Sequence, residues 1–359
     1  DDVSGLVLSN NIADTKVLSE LTYGVKKEKI TLEKASNGLL YPTSKSLNVG
    51  AKRDLKVLKK EDTGVSWYAK VPALVDFDSG KTHSVKADVS ALLDAIDNAE
   101  SGDVLELAPG QYDVSKLVKI DKTLTIKAKQ NAKSKLTFQR STLFEIHDGG
   151  SLKLDGLSIS GENAPDAIGN SIVRTQKWGM VDNYRFVMTN SELNALDINH
   201  SFHFFITGKG AMADEIIVTG NTFNTVTGDI LRLNTEIEDL GVYNAEYVIV
   251  NNNTFNNVEG GVLKLYRGGT DESTFGPHFE MTNNTLNNVG LGKRNKEQAS
   301  IYVHGVQVTN IKDNKFVKSA PIVVEHTVGE PKTEISGNTF DATKAPSVKE
   351  LRVKGPHTA

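Results

Sequence analysis

Short runs that alternate between apolar and polar residues recur along this chain, and several lead into one phrase. It reads Val218-Thr219-Gly220-Asn221-Thr222-Phe223, then Val250-Asn251-Asn252-Asn253-Thr254-Phe255, then Met281-Thr282-Asn283-Asn284-Thr285-Leu286. Looser copies follow at Ile311-Lys312-Asp313-Asn314-Lys315-Phe316 and Ile335-Ser336-Gly337-Asn338-Thr339-Phe340. The five key Asn residues are 32, 31, 30 and 24 residues apart, and an earlier copy, Val187-Met188-Thr189-Asn190-Ser191, puts Asn190 31 residues before Asn221. Period-two alternation predicts strands rather than helices. A repeat of this length predicts stacked units, none able to bury its apolar face alone. Coils stacked about 4.8 Å apart would align the Asn side chains into an amide ladder, each bonding its neighbour and the turn backbone. Phe223, Phe255, Leu286, Phe316 and Phe340 would then stack inside. The predicted fold is all-β: a right-handed parallel β-helix.

The pattern also divides the chain. One amphipathic helix is predicted over 86–101, with Leu92, Leu93, Ile96 and Ala99 on one stripe and Asp88 or Ser90 as its cap. Such a helix would cover the open end of a first coil, so a complete β-helix is expected over 86–344, followed by a tail at 345–359. Gly5-Leu6-Val7-Leu8-Ser9-Asn10-Asn11-Ile12 is already repeat-like, with no capping element before it. Residues 1–42 are therefore read as the last coils of an upstream β-helix, and 43–85 as an interdomain linker. On this reading the chain begins inside a longer protein.

Composition changes this picture little. A chain of 359 residues is long for one compact core, but a solenoid grows along one axis. A net charge of −4 lends no support to nucleic-acid binding. Cysteine is absent, which excludes disulfides and thiolate metal sites. No apolar run approaches the roughly 20 residues of a membrane-spanning helix.

Candidate chemistry lies on the second strand of each coil: Ile230-Leu231-Arg232-Leu233-Asn234, Val262-Leu263-Lys264-Leu265-Tyr266-Arg267, Ile301-Tyr302-Val303-His304 and Ile322-Val323-Val324-Glu325-His326. Alternation sends Leu231, Leu233, Leu263, Leu265, Ile301 and Val303 inward. It sends Arg232, Asn234, Lys264, Tyr266, Tyr302 and His304 outward on neighbouring coils. An outer row of cations and aromatics suits a polyuronate: cations neutralise carboxylates and rings pack on sugar faces. β-Elimination needs carboxylate neutralisation, a base and an acid. Lys264, Tyr266, Arg267 and His304 are the candidate catalytic groups, with Arg232, Lys264 and Tyr302 as candidate substrate contacts. The alternative is that polar residues simply occupy a solvated sheet face. His200 and His203, set among Phe202, Phe204 and Phe205, read as packed residues. Asp271 and Glu272 are too weak a pair to assign a metal site.

Three stretches carry a resemblance: Gly38-Leu39-Leu40-Tyr41-Pro42-Thr43, Asp62-Thr63-Gly64-Val65-Ser66-Trp67-Tyr68, and above all Leu265-Tyr266-Arg267-Gly268-Gly269-Thr270-Asp271-Glu272-Ser273-Thr274-Phe275-Gly276-Pro277. They resemble the two-domain alginate lyases of polysaccharide lyase family six, related to chondroitinase B. The resemblance covers nearly the whole chain. It implies catalysis in the N-terminal β-helix, by a Lys base, an Arg acid and a Ca²⁺ held by Asn and Glu. This sequence lacks that constellation, a Glu-rich strand running into Asn-Lys-Ser with a following Arg coil. No family catalytic residue is carried over, and no Ca²⁺ ligand is assigned. The resemblance implies the C-terminal portion of such a lyase, acting on alginate or a related polyuronate beside an N-terminal catalytic β-helix. This portion would support the catalytic domain, the substrate groove or a homo-oligomer, in a periplasmic or secreted enzyme. Two other readings stay open: an independent polyuronate lyase or epimerase using the row around Lys264, and a non-catalytic carbohydrate-binding solenoid.

Overall fold

The computed structural model describes residues 32–34 and 40–42 and, from 74 onward, all but 131–132, 178–179, 237–239, 270–274, 328, 353–356 and 359. The chain divides into two units, 1–73 and 74–359. In the first, Leu32–Lys34 pairs antiparallel with Leu40–Pro42. The other residues read as upstream coils, and the linker up to residue 73, lie outside the described residues.

In the second unit, strands of successive coils pair in parallel to form three long sheets of 11, 9 and 9 strands. After the first sheet's opening pair, Thr82–Val85 and Val104–Leu107, each sheet takes every third strand of the coil sequence, as a chain winding around one axis must. The result is a parallel β-helix. Thr82–Val85, within the stretch read as linker, is the edge strand of the first sheet. Ser347–Glu350 and His357–Thr358, within the stretch read as a tail, pair with Ile322–His326 and Lys332–Ser336. Among the described residues no helix is long and apolar enough to cross a membrane.

The helix spans Val89–Asn98. Asp88 caps it, its side chain accepting the Ala91 N–H at 2.9 Å. Leu92 and Ile96 are buried in the same apolar cluster as Val85, Leu105 and Leu107 of the first coils. Lys122 donates to the carbonyl of Ala99 at 2.9 Å, placing a cation at the helix C-terminus where the dipole favours it.

The amide ladder forms as the repeat predicts. Asn221 donates to Asn253 Oδ1 at 3.0 Å, Asn253 to Asn284 at 3.0 Å, Asn284 to Asn314 at 2.8 Å, and Asn314 to Asn338 at 3.0 Å. Each Nδ2 also donates to a carbonyl of the preceding coil, as Asn253 does to Val218 O at 2.8 Å. Each receiving Oδ1 also accepts the backbone N–H of the rung before it. Buried amides are thereby satisfied.

The earliest copy is shifted by one residue from its expected position. Ser191, not Asn190, is the rung before Asn221: its N–H donates to Asn221 Oδ1 at 2.9 Å. Asn190 (φ 51°) instead shares the left-handed turn position of Gly220 (72°), Asn252 (59°), Asn283 (56°), Asp313 (57°) and Gly337 (69°). Only Gly, Asn and Asp fill that position, because a left-handed backbone crowds Cβ and short polar side chains tolerate it best. Inside the coil the apolar register is Phe223, Phe255, Leu286, Phe316, Phe340. Phe223 stacks on Phe255 at 5.1 Å and Phe316 on Phe340 at 5.0 Å.

Candidate functional site

The third sheet carries the predicted outer row. Register aligns Lys119, Glu145, Arg174, Ile206, Arg232, Lys264 and Tyr302 in one column. Tyr266, His304, Glu325 and Lys349 form the next. The inward residues between them, Leu231, Leu233, Leu263, Leu265, Ile301 and Val303, are fully buried. Alternation along each strand therefore sorts the faces as the sequence predicts.

The chemistry of the row differs from the expected solvated cationic strip. Lys264 is not an open cation: its side chain is 10% exposed and lies 3.2 Å from Asp229 and 2.7 Å from Glu297. An ammonium has donors only, and these donors already face protein carboxylates. Asp229 Oδ1 also accepts the Gly261 N–H at 2.9 Å. The cluster continues through His203, whose Nδ1 accepts the Asp229 N–H at 2.9 Å, while Arg232 Nη1 lies 3.2 Å from its Nε2. Donors thus approach both ring nitrogens. Burial, only partly opposed by Asp229, pushes His203 down to about 4, so the ring is neutral near pH 7. Its neighbours Phe202, Phe204 and Phe205 are core residues, as expected. The link from His203 through Asp229 to Lys264 has no signal in the local sequence.

The second column makes a separate group. The Tyr266 ring stacks on His304 at 4.5 Å and 14°. Tyr302 donates its hydroxyl to Glu325 Oε2 at 2.8 Å, and His304 Nδ1 lies 2.9 Å from the same oxygen. Lys349 donates to Glu325 Oε1 at 2.9 Å. Burial raises Glu325, but the hydrogen bonds from His304, Lys349 and Tyr302 outweigh it, so the carboxyl is held below its ordinary range. Burial first, then the bond to Glu325 and its charge, push Tyr302 up. Tyr302 is thus a neutral donor rather than a phenolate base. Near the other end of the sheet, Arg174 Nε meets Glu145 at 2.6 Å and His147 lies 2.8 Å from the same carboxylate.

Arg267 stands apart from both groups. It is 3% exposed, with Nη1 donating to Gly268 O at 2.9 Å and its backbone N–H to His304 O at 2.9 Å. A Cβ on Gly276 would meet Arg267 Cδ at 3.2 Å, and one on Gly305 would meet Arg267 O at 2.6 Å. Arg267, one of the candidate catalytic groups, is thus enclosed by its surroundings rather than open on the sheet face. Of the predicted set, Lys264 and Arg232 come together through His203 and Asp229, and Tyr266, Tyr302 and His304 through Glu325.

Asp271 and Glu272 lie outside the described residues. Among the described residues no group of three or more His, Asp or Glu could hold a metal ion.

No protein-family model and no curated relative matches the chain. Among solved structures it is similar to the PL6 family alginate lyase AlyGC, at 46% identity and a TM-score of 0.79, over 94% of this chain and 47% of that one. It is also similar to an arginine-to-alanine mutant of the same lyase, at 48% identity and a TM-score of 0.77, over 91% of this chain and 45% of that one. The chain thus spans about half the length of these relatives.

Proposed function

This chain is PL6 alginate lyase-like over 94% of its length, and from that premise we propose that it is the C-terminal β-helix part of an enzyme that cleaves alginate or a related polyuronate by β-elimination. Proton abstraction, and any Ca²⁺ that neutralises the uronate carboxylate, belong to an N-terminal catalytic β-helix. This part supports that domain and the path of the polymer. Because the substrate is a polymer, the enzyme works in the periplasm or outside the cell.

One observation carries the division of labour. Three cations of the described outer row are already held by protein carboxylates: Arg174 by Glu145, Lys264 by Asp229 and Glu297, Lys349 by Glu325, while Arg232 lies against His203 and Lys119 is exposed at the far end. A lyase site must neutralise the substrate's own carboxylate to acidify the C5 proton. Cations that neutralise protein carboxylates are poorly placed to do so. A second reading draws on the contiguous Tyr266, His304 and Tyr302 array, which has the functional groups of an acid–base pair and would make the chain an independent lyase.

The test is ultraviolet absorbance of the unsaturated uronate product, with alginate and Ca²⁺. The expected result is no product from this chain alone and product once the half that AlyGC has beyond this chain is supplied. Turnover by the chain alone, lost in His304→Ala, would replace this reading with the second. Alginate binding without turnover in both preparations would make it a non-catalytic solenoid.

A further inference from the structure

The ends of the second-sheet strands border a groove of about 670 Å³. Its floor repeats from coil to coil. Thr225, Asn257 and Asn288, each one residue before the end of its second-sheet strand, have left-handed φ of 57°, 54° and 57°. Asn288 Nδ2 donates to Asn257 Oδ1 at 3.0 Å, so these exposed amides form a short ladder of their own. Asp197 and Glu259 also line the groove, and Lys293 and Arg294 stand on its wall, all four exposed.

That wall is the insertion 291–299, and it is built rather than loose. Gly290 N–H donates to Val258 O at 2.8 Å and Gly292 N–H to Glu259 O at 2.9 Å. A Cβ on Gly292 would lie 2.6 Å from Glu259 Cβ, so only glycine lets the wall lie this close to the coil. Buried Asn295 ties the insertion to itself through Gly290 O and Ala299 O, both at 2.8 Å. Glu297 then reaches Lys264 at 2.7 Å, so the outer-row lysine anchors the far side of the wall.

We propose that this groove is a binding site for a stretch of anionic polysaccharide. Lys293 and Arg294 meet uronate carboxylates, while Asp197, Glu259 and the two Asn amides take sugar hydroxyls. The mixed lining selects the ligand class. Carboxylates accept hydrogen bonds from hydroxyls, which a sugar polymer supplies and a polyanion without hydroxyls does not. The coil spacing of about 4.8 Å is on the scale of one sugar ring, so successive turns can address successive sugars. The choice of a uronate polymer rests on the PL6 reading; the groove and its wall do not.

The experiment is calorimetric titration of the full 359-residue chain with short alginate oligosaccharides, with neutral cello-oligosaccharides and poly-glutamate as comparison ligands. Alginate fragments are expected to bind saturably and more weakly as salt rises. The double variant Lys293→Ala/Arg294→Ala should weaken binding roughly tenfold, and Lys293→Glu/Arg294→Glu should abolish it. Equal binding by poly-glutamate would show charge without sugar recognition and overturn the proposal. So would unchanged affinity in the double variant, or no binding at all. If the chain binds no alginate while the completed enzyme cleaves it, the groove fails and the lyase reading stands. If the groove binds alginate and the completed enzyme gives no product, the lyase reading fails and the groove stands.

Discussion

At Asn253 one amide satisfies four bonds: it donates to Val218 O and Asn284 Oδ1, and its oxygen accepts both the N–H and the Nδ2 of Asn221. Asn253→Ala would leave buried backbone and amide groups unsatisfied, at about 1–3 kcal/mol for each group that water cannot reach. The expected outcome is a loss of about 3 kcal/mol, read from the urea midpoint. Asn288→Ala, on the exposed ladder, should stay within about 0.5 kcal/mol. His203 and Asp103 are two of the groups that shape the acid limb. His203 has a folded value of about 4, below the ordinary imidazole range, because of burial. The unfolded chain therefore binds its proton first, and stability falls as pH drops from about 6.5 towards about 4. Asp103 is pushed down to about 2, chiefly by the Glu100 N–H, with His83 and the Lys81 N–H adding. Its contribution is full above the ordinary Asp range and is lost as pH falls through about 2. His203→Gln should flatten the first window and leave the second, as measured by denaturation across pH.

On the scale of the element, the insertion 291–299 and the outer row form one mechanical unit. Lys264→Ala would leave Asp229 and Glu297 facing each other without their shared cation. Breaking a buried pair of this kind costs about 3 kcal/mol. Hydrogen exchange at Gly292 and Asn295 should speed up in that variant, because the wall loses its far anchor. Normal protection there would mean that the glycine contacts with Glu259 hold the wall alone. The turn elements are equally legible. Asn283 is left-handed at φ 56°, so Asn283→Val should cost about 1–2 kcal/mol, while Asn283→Gly should be close to neutral in the same melt.

Across the β-helix unit, each coil is stabilised by its neighbours, and the first coil depends on a cover. Leu92, fully buried on the inner face of the capping helix, is the test. Leu92→Asp should lift the helix, expose the edge at Thr82–Val85 and produce aggregates on size-exclusion chromatography, since an uncovered edge pairs with other chains. The repeat, the Asn ladder, the Phe stack, the cap and the inward and outward sorting of the third sheet were all legible in the sequence. Each is set by a short-range rule, either the period of the strand or the few residue types a left-handed turn accepts. The one-residue shift from Asn190 to Ser191 escaped, because the turn position and the rung can both be Asn, and only hydrogen bonding tells them apart. What tertiary structure alone decided is which charges meet. Glu297 lies 33 residues beyond Lys264 in sequence, Asp229 lies 35 before it, and Glu325 pairs with His304 and Lys349 on different coils. Strand alternation says that a side chain points outward, but the coil lengths and the path of the insertion determine what it finds there. That is why the sequence by itself specified a parallel β-helix with a polar outer row, and only the folded chain showed Arg174, Lys264 and Lys349 of that row held by the protein's own carboxylates.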